Sequence, residues 1–109
     1  MNFENTFGET VKKLREDKNL TLKEVAKYLK IDTSMLGKIE KNSRKPTKKL
    51  IERISKLFDV SEKDLTIAFL SDTVASHILY ENEFTSEVLK AAEKKVKYMK
   101  AKKTSLKWS

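Results

Sequence analysis

The stretch TLKEVAKYLKIDTSMLGKIEKNSRKPT, residues 21–47, decides how the rest of the chain is organised. Its first half carries apolar residues at the i, i+3, i+4 and i+7 positions, which is typical of a helix with one buried face. These residues are Leu22, Val25, Ala26 and Leu29. Thr21 and Glu24 have the spacing of a capping box, so we predict that the helix begins directly after Thr21.

A second short helix is predicted close behind the first. Two residues separate Leu29 from Asp32, a residue type favoured at the N-cap position. Beyond Asp32, Leu36 and Ile39 form the apolar side of a helix at residues 33–41. A helix of about eight residues, a turn of about three and a helix of about nine make a helix-turn-helix.

The outward side of this second helix and the loop after it suit a nucleic acid. A helix that presents small and polar residues can enter the major groove of DNA. The following loop, residues 42–47, contains Arg44 and Lys45, and Lys48 comes directly after it. Basic side chains in this position can contact the phosphates of a neighbouring strand.

The segment LTLKEVAKYLKIDTSMLGKIEKNSRKPT resembles the DNA-binding domain of Cro, the lambda-type phage repressors and the xenobiotic-response-element (XRE) regulators of bacteria. The resemblance covers roughly Phe7 to Phe69 and includes the runs LRE, IEKNSRKP and DVSEKDL. It implies an all-α fold, in which residues 1–69 form a five-helix lambda-repressor-like DNA-binding domain and residues 70–109 form a helical extension. Where the family often has Gln, Gly and Gly, this chain has Leu22, Lys30 and Asn42.

The resemblance implies that recognition helix 33–41 contacts bases through its first turn and one turn later. The resemblance implies base contacts from Thr33, Ser34 and Lys38, and Gly37 is added to them from its residue type alone. Hydroxyl groups can pair with several bases, whereas lysine favours guanine O6 and N7. A glycine in a helix interior lowers stability by roughly 1 kcal/mol relative to alanine. We therefore interpret Gly37 as leaving room for DNA to approach the backbone, with internal packing as the alternative. Met35 is expected either at a thymine methyl or in the core.

Phosphate contacts are expected at both ends of the helix-turn-helix. The expected residues are Thr21, Lys23, Ser43, Arg44, Lys45 and Lys48. Such contacts position a protein on DNA without specifying the sequence. In the resembling family, a Gln at the place of Leu22 commonly contacts a phosphate. Here that contact passes to the helix amides, or to Thr21 and Lys23.

Three further helices complete the predicted domain. The first runs from about Thr6 to Asp17, and Thr6 and Glu9 have the spacing of a capping box. The resemblance implies that Arg15 in this helix forms a structural ion pair with Glu40 at the end of the recognition helix. The other two helices are predicted to begin near Thr47 and Ser61.

The extension divides into an acidic and a basic part. Residues 70–88 contain acids and no lysine or arginine, whereas residues 89–109 contain eight lysines and one glutamate. The acidic part supports two interpretations. Ser71 or Asp72 caps a sixth helix, or the fifth helix continues through to Tyr80.

A last helix is predicted from Thr85 or Ser86 to Lys103. Its apolar residues repeat at the a/d spacing of a coiled-coil seam, and they are Leu89, Ala92, Val96 and Met99. The seam either forms a dimer contact or packs on its own domain. Residues 100–109 are expected to fray, with nonspecific phosphate contacts as the alternative, and Trp108 is expected to cover apolar surface.

Composition and charge restrict the range of possible functions. The chain of 109 residues has a formal net charge of +8 and a pI near 9.6, which favours an anionic partner. It has no cysteine, so neither a disulfide nor a thiolate metal site is predicted, as is usual in the cytoplasm. The sequence shows no export signal and no membrane span. A lone histidine, His77, lies in no catalytic motif, so we predict no enzyme, metal site or cofactor.

Two functions from different classes follow. The leading prediction is a sequence-specific DNA-binding transcriptional regulator, a repressor that binds double-stranded DNA as a homodimer on two half-sites about one helical turn apart. The alternative is an antitoxin or another protein-interaction module whose extension binds a protein partner, and the acidic residues 70–88 favour it. A DNA-binding regulator of a restriction-modification system is a further alternative. A small-molecule sensor ranks third, because about forty residues leave little room for a pocket.

Overall fold

The structure, a computed structural model, describes residues 1–81 and 83–103. Over these residues the chain forms six helices and no strand, which confirms the predicted all-α class. The helices are α1 (Phe7–Asp17), α2 (Leu22–Leu29), α3 (Thr33–Glu40), α4 (Lys48–Phe58), α5 (Glu62–Ile78) and α6 (Thr85–Lys102). Asn82 and residues 104–109, with the interpretation of Trp108, lie outside the described residues.

The chain divides into two compact units, residues 1–75 and a second unit that begins at Ser76. The first unit contains the hydrophobic core. Its buried apolar side chains are those of Phe7, Val11, Val25, Ala26, Leu29, Leu36, Ile39, Leu50, Ile51, Ile54, Phe58, Leu65 and Ala68. Because each of the first five helices contributes its apolar stripe, the core fixes the helix-turn-helix from behind. Within the described residues, no helix is both long and apolar enough to cross a membrane.

Side-chain caps start the helices of the first unit. Thr6 and Thr21 each accept a hydrogen bond from the amide three residues later and receive the reciprocal carboxylate of Glu9 and Glu24, so both predicted capping boxes are confirmed. The amides of Thr6 and Thr21 donate to these carboxylates and lower the pKa of Glu9 and of Glu24 below the usual 4.5. Asp32 occupies the N-cap of α3 as predicted, but its side chain makes no capping hydrogen bond.

Five described residues that are not glycine have a left-handed backbone conformation, and each lies at or just beyond the end of a helix. They are Asn19, Lys30, Asn42, Asp59 and Lys103. The left-handed residue turns the chain out of the helix and lets amides beyond it reach the last carbonyls. At Lys30 this produces the tight turn between α2 and α3, where the Ile31 amide donates to the Ala26 carbonyl at 3.0 Å.

The fifth helix is continuous from Glu62 to Ile78, so the structure supports continuation rather than a new helix at Ser71 or Asp72, although the helix ends two residues before the predicted Tyr80. Ser71 does not act as a cap, because its hydroxyl donates back to the Ala68 carbonyl at 3.1 Å. Asp72 instead accepts a hydrogen bond of 2.7 Å from the Phe7 amide at the start of α1. The same two helices meet at Phe7 and Phe69, whose ring centroids are 5.9 Å apart in an edge-on arrangement.

Candidate nucleic-acid interface

The helix-turn-helix is α2 and α3 with the left-handed turn at Lys30 between them. Leu36 and Ile39 are buried and hold α3 on the core. The end of α2 is secured from another helix, since Arg53 of α4 donates to the Leu29 carbonyl at 3.1 Å. This contact satisfies a carbonyl that the helix itself leaves open. No sequence pattern points to it, because Arg53 lies 24 residues from Leu29.

The outward face of α3 carries the residues predicted to contact bases. Thr33, Ser34 and Lys38 are exposed, and Gly37 is half-buried between the exposed positions. A Cβ atom built on Gly37 would have nothing within 4 Å, so internal packing does not require glycine here. Met35 is half-buried and packs against the core, which agrees with one of its two predicted roles.

The residues predicted to contact phosphates are all exposed. Thr21 accepts from the Glu24 amide, and its own hydroxyl proton can therefore point to an outside acceptor. Ser43 differs, because its amide and its hydroxyl both donate to the Lys38 carbonyl, at 2.9 and 3.2 Å. A phosphate contact from the Ser43 hydroxyl would require that side chain to rotate.

The surface of residues 30–49 is strongly positive. Seven lysine and arginine residues lie in this range and all are exposed, whereas its two acids are Asp32 and Glu40. Glu40 is buried and its charge is paired with Arg15, so Asp32 is the one exposed acid of this stretch. The positive charge next to α3 is therefore almost uncompensated at the surface, which favours a polyanion.

Arg15 and Glu40 form the ion pair that the resemblance implies. The Arg15 Nε and Nη2 atoms lie 2.8 and 3.0 Å from the two carboxylate oxygens of Glu40, and Nη1 donates to the Leu20 carbonyl at 2.9 Å. The hydrogen bond from Arg15 to Glu40 raises the pKa of Arg15 above its usual value. Through this two-point contact, α1 holds the C-terminal end of the recognition helix.

A second link between α1 and the end of α3 was not predicted. Asn42, directly beyond α3, accepts a hydrogen bond from the Gly8 amide and donates one to the Thr6 hydroxyl, both 2.9 Å long. Gly8 is required by space, because a Cβ atom there would lie 2.5 Å from the carbonyl oxygens of Ile39 and Glu40. The partners are 34 and 36 residues apart, and no local pattern in the sequence points to them.

The four residues predicted as a dimer contact lie along α6, in the second unit. Leu89 and Val96 are 42% and 46% exposed, Ala92 is exposed and Met99 is half-buried. No residue of α6 is buried. Within the described residues, no group of three or more His, Asp or Glu side chains is arranged to bind a metal ion.

A short helix with an exposed polar face, mounted on a buried apolar face and flanked by basic residues, defines a helix-turn-helix DNA-binding protein. Residues 11–65, half of the chain, match the model of the Helix-turn-helix family HTH_3, and the protein belongs to this family. It is accordingly a DNA-binding transcriptional regulator of the XRE type, which confirms the predicted family and the general function.

Two solved structures with TM-scores above 0.5 show the same fold. The clp gene regulator ClgR from Corynebacterium glutamicum is 18% identical, with a TM-score of 0.54, over 84% of this chain and 95% of that one. The SinR protein in complex with the SinI protein is 22% identical, with a TM-score of 0.51, over 85% and 99%. A mutant of the restriction-modification controller protein C.Esp1396I is 28% identical, with a TM-score of 0.48, over 70% and 90%. No curated protein matches the sequence.

Proposed function

We propose that the protein is a sequence-specific repressor that binds, as a homodimer, an operator with two half-sites. The observation that carries the proposal is the exposed outer face of α3 beside seven exposed basic residues and one exposed acid. A positive surface alone supplies nonspecific affinity, whereas base contacts from a helix in the major groove supply the sequence preference. The bound protein would repress transcription by excluding RNA polymerase.

In the proposed complex, α3 lies in the major groove. Thr33 and Ser34 contact base edges through their hydroxyl groups, and Lys38 reaches a guanine. The open space around Gly37 lets a base or sugar approach the helix backbone. The phosphates on either side are contacted by Thr21 and Lys23, by Arg44 and Lys45, by Lys48, and by Ser43 after rotation of its hydroxyl.

The homodimer contact is proposed along the exposed apolar seam of α6. In heptad terms Leu89 and Val96 occupy a positions, and Ala92 and Met99 occupy d positions. Two such copies bring two recognition helices to one DNA molecule, which requires half-sites about one helical turn apart.

The charges beside this seam act against close self-association. Lys95 takes a g position and Lys100 an e position, so in a parallel pair these two lysines of different copies face each other. In an antiparallel pair, the Lys95 residues of the two copies face each other instead. We therefore expect a homodimer of modest affinity, whose formation DNA with two half-sites promotes.

The decisive experiment incubates the pure protein with fragmented DNA from its source at near-physiological salt and sequences the retained fragments. Enrichment of a few sites with inverted half-sites is the expected result. Even retention that disappears with modest added salt would show that the positive charge is only a nonspecific anchor, and would overturn the proposal.

Two lysine variants then test the docking. Lys45→Ala should weaken binding equally on all sequences, since it removes a phosphate contact. Lys38→Ala should relax the preference at one base pair, at a cost of about 1–3 kcal/mol on the preferred site. Lys63→Ala in α5 removes the same charge from an exposed site outside the helix-turn-helix and serves as the control. Identical behaviour of the Lys38 and Lys45 variants would contradict this docking.

A protein-interaction role is the second candidate, and the exposed apolar residues of α5 favour it. Leu70 and Val74 are 54% and 48% exposed on a stretch that has acids and no lysine or arginine. In an antitoxin such a face would bind a protein partner. Sedimentation of the protein, alone and with a retained DNA fragment, separates the two candidates. A homodimer at micromolar concentration supports the repressor, whereas a monomer both alone and on DNA supports the interaction module.

A further inference from the structure

We infer that Asn42 is a positioning residue of the DNA-binding surface, whose side chain fixes the end of the recognition helix and the start of the basic loop to the N-terminus of α1. The inference rests on the proposed function, since it concerns how the phosphate-contacting loop is held. The basic loop is residues 43–45, which follow Asn42 directly.

The carboxamide of Asn42 is engaged on both sides. Its Oδ1 atom accepts from the Gly8 amide at 2.9 Å, and its Nδ2 atom donates to the Thr6 hydroxyl at 2.9 Å. Thr6 is itself fixed, because the same hydroxyl oxygen accepts from the Glu9 amide as the cap of α1. Asn42 is therefore bonded to the helix start rather than to a freely rotating side chain.

The backbone around this contact is closely packed. The carbonyl oxygens of Ile39 and Glu40 and the Oδ1 atom of Asn42 all surround Gly8 so tightly that a Cβ atom would lie 2.5 Å from each. The amide end of α1 thus meets the carbonyl end of α3, and the positive and negative ends of the two helix dipoles attract each other. Together with the ion pair of Arg15 and Glu40, this contact anchors the end of α3 at two separate places on α1.

The left-handed backbone at position 42 does not by itself require asparagine. Its φ is 63°, a left-handed value that glycine adopts at least as readily as asparagine. Glycine would end the helix in the same way but would leave the Gly8 amide and the Thr6 hydroxyl without these partners. The carboxamide therefore adds a restraint on the loop, and a loop restrained before binding loses less freedom when Arg44 and Lys45 meet phosphates.

The test compares Asn42→Gly with a matched control, Asn19→Gly. Asn19 has a similar left-handed φ of 55° beyond the end of α1, so both changes relieve the same backbone conformation, but only Asn42 has the two side-chain bonds described above. Affinity is measured on a DNA fragment retained by the wild-type protein, at several salt concentrations. Urea unfolding of each variant is measured in parallel.

Asn42→Gly should bind about tenfold more weakly than Asn19→Gly, since the loop is no longer held where Arg44 and Lys45 can both neutralise phosphates. Its plot of log affinity against log salt should also become less steep, by about 0.9 for each phosphate that the loop no longer neutralises. The substitution removes no charge, so a structural role elsewhere would not change this slope. Equal affinity and slope for Asn42→Gly and the wild type would overturn the inference.

A second pair of variants keeps the test independent of the stability of Asn42→Gly. Thr6→Gly removes the hydroxyl that accepts from Asn42 and keeps a residue type tolerated at the N-cap, whereas Thr6→Ser keeps the hydroxyl. We expect weaker binding and a reduced salt slope for Thr6→Gly, and wild-type values for Thr6→Ser. Wild-type binding by both would refute the inference while leaving the proposed function intact; failure of the wild-type protein to select any site would refute the proposed function itself.

Discussion

The ion pair between Arg15 and Glu40 can be tested by replacing each partner with methionine, separately and together. Methionine keeps much of the side-chain length and removes the charge. The two side chains are 12% and 5% exposed, so water cannot fully replace a missing partner. Arg15→Met leaves the Glu40 carboxylate buried, and this change should cost roughly 3–5 kcal/mol of the free energy of unfolding.

Glu40→Met should cost less than Arg15→Met. Arg15 is the more exposed partner and keeps its hydrogen bond to the Leu20 carbonyl, so we expect a loss of about 1.5–3 kcal/mol. The double variant removes both charges together, and its stability should lie within about 1–2 kcal/mol of the wild type. The summed cost of the two single substitutions should therefore greatly exceed the cost of the double substitution.

Urea unfolding, followed by far-ultraviolet circular dichroism, gives the free energy of unfolding of the wild type, the two single variants and the double variant. The control is the exposed pair of Lys56 and Glu52, whose side chains are 73% and 49% exposed and lie 3.1 Å apart. Its coupling should be at most about 1 kcal/mol. If Arg15→Met cost no more than Lys56→Met, or if the costs at Arg15 and Glu40 were additive, the pair would not hold α1 to α3.

Three further predictions concern the helices. Gly37→Ala should raise the free energy of unfolding, measured in urea, by about 1 kcal/mol, since an added Cβ atom meets nothing within 4 Å. The same substitution should weaken operator binding. Unchanged binding would contradict the close approach of DNA to Gly37. The lowered pKa values of Glu9 and Glu24 imply stability that is full above pH 4.5 and declines as the pH falls through the folded-state values. The double variant Glu9→Gln, Glu24→Gln should show a flatter decline in acid unfolding, and an identical profile would refute this cause. If the α6 seam is parallel, Lys95→Glu should strengthen the dimer in sedimentation. Lys94→Glu, which makes the same charge change away from the seam, should strengthen it less. Equal effects would contradict a parallel seam.

The helix starts were predictable because the signals are local. Thr6 and Glu9, and likewise Thr21 and Glu24, are three residues apart, so one helical turn brings each pair together whatever the rest of the chain does. The apolar stripes had the same local character. Five predicted helices and a last helix predicted to begin at Thr85 or Ser86 follow from such signals, and all are present, the last beginning at Thr85.

The remaining features depend on distant partners. Asp72 is a residue type that often caps helices. Here its carboxylate accepts a hydrogen bond from the Phe7 amide, 65 residues away, and the fifth helix continues past it. Asn42 was recognisable only as a position where the resembling family often has Gly, because its bonds to Gly8 and Thr6 depend on how α1 packs against α3. Contacts with bases and phosphates involve a second molecule, and those assignments stay predictions.

The left-handed helix ends bear on the unfolded chain as well as on the folded one. Among the described residues no glycine has a positive φ, and positions such as Lys30 and Asp59 carry side chains instead. A side chain costs about 1 kcal/mol or more in this conformation, although it also reduces the number of conformations open to the unfolded chain. The present sequence therefore lies below its attainable stability. Glycine at these two helix ends would offer a gain that leaves every residue proposed to contact DNA unchanged.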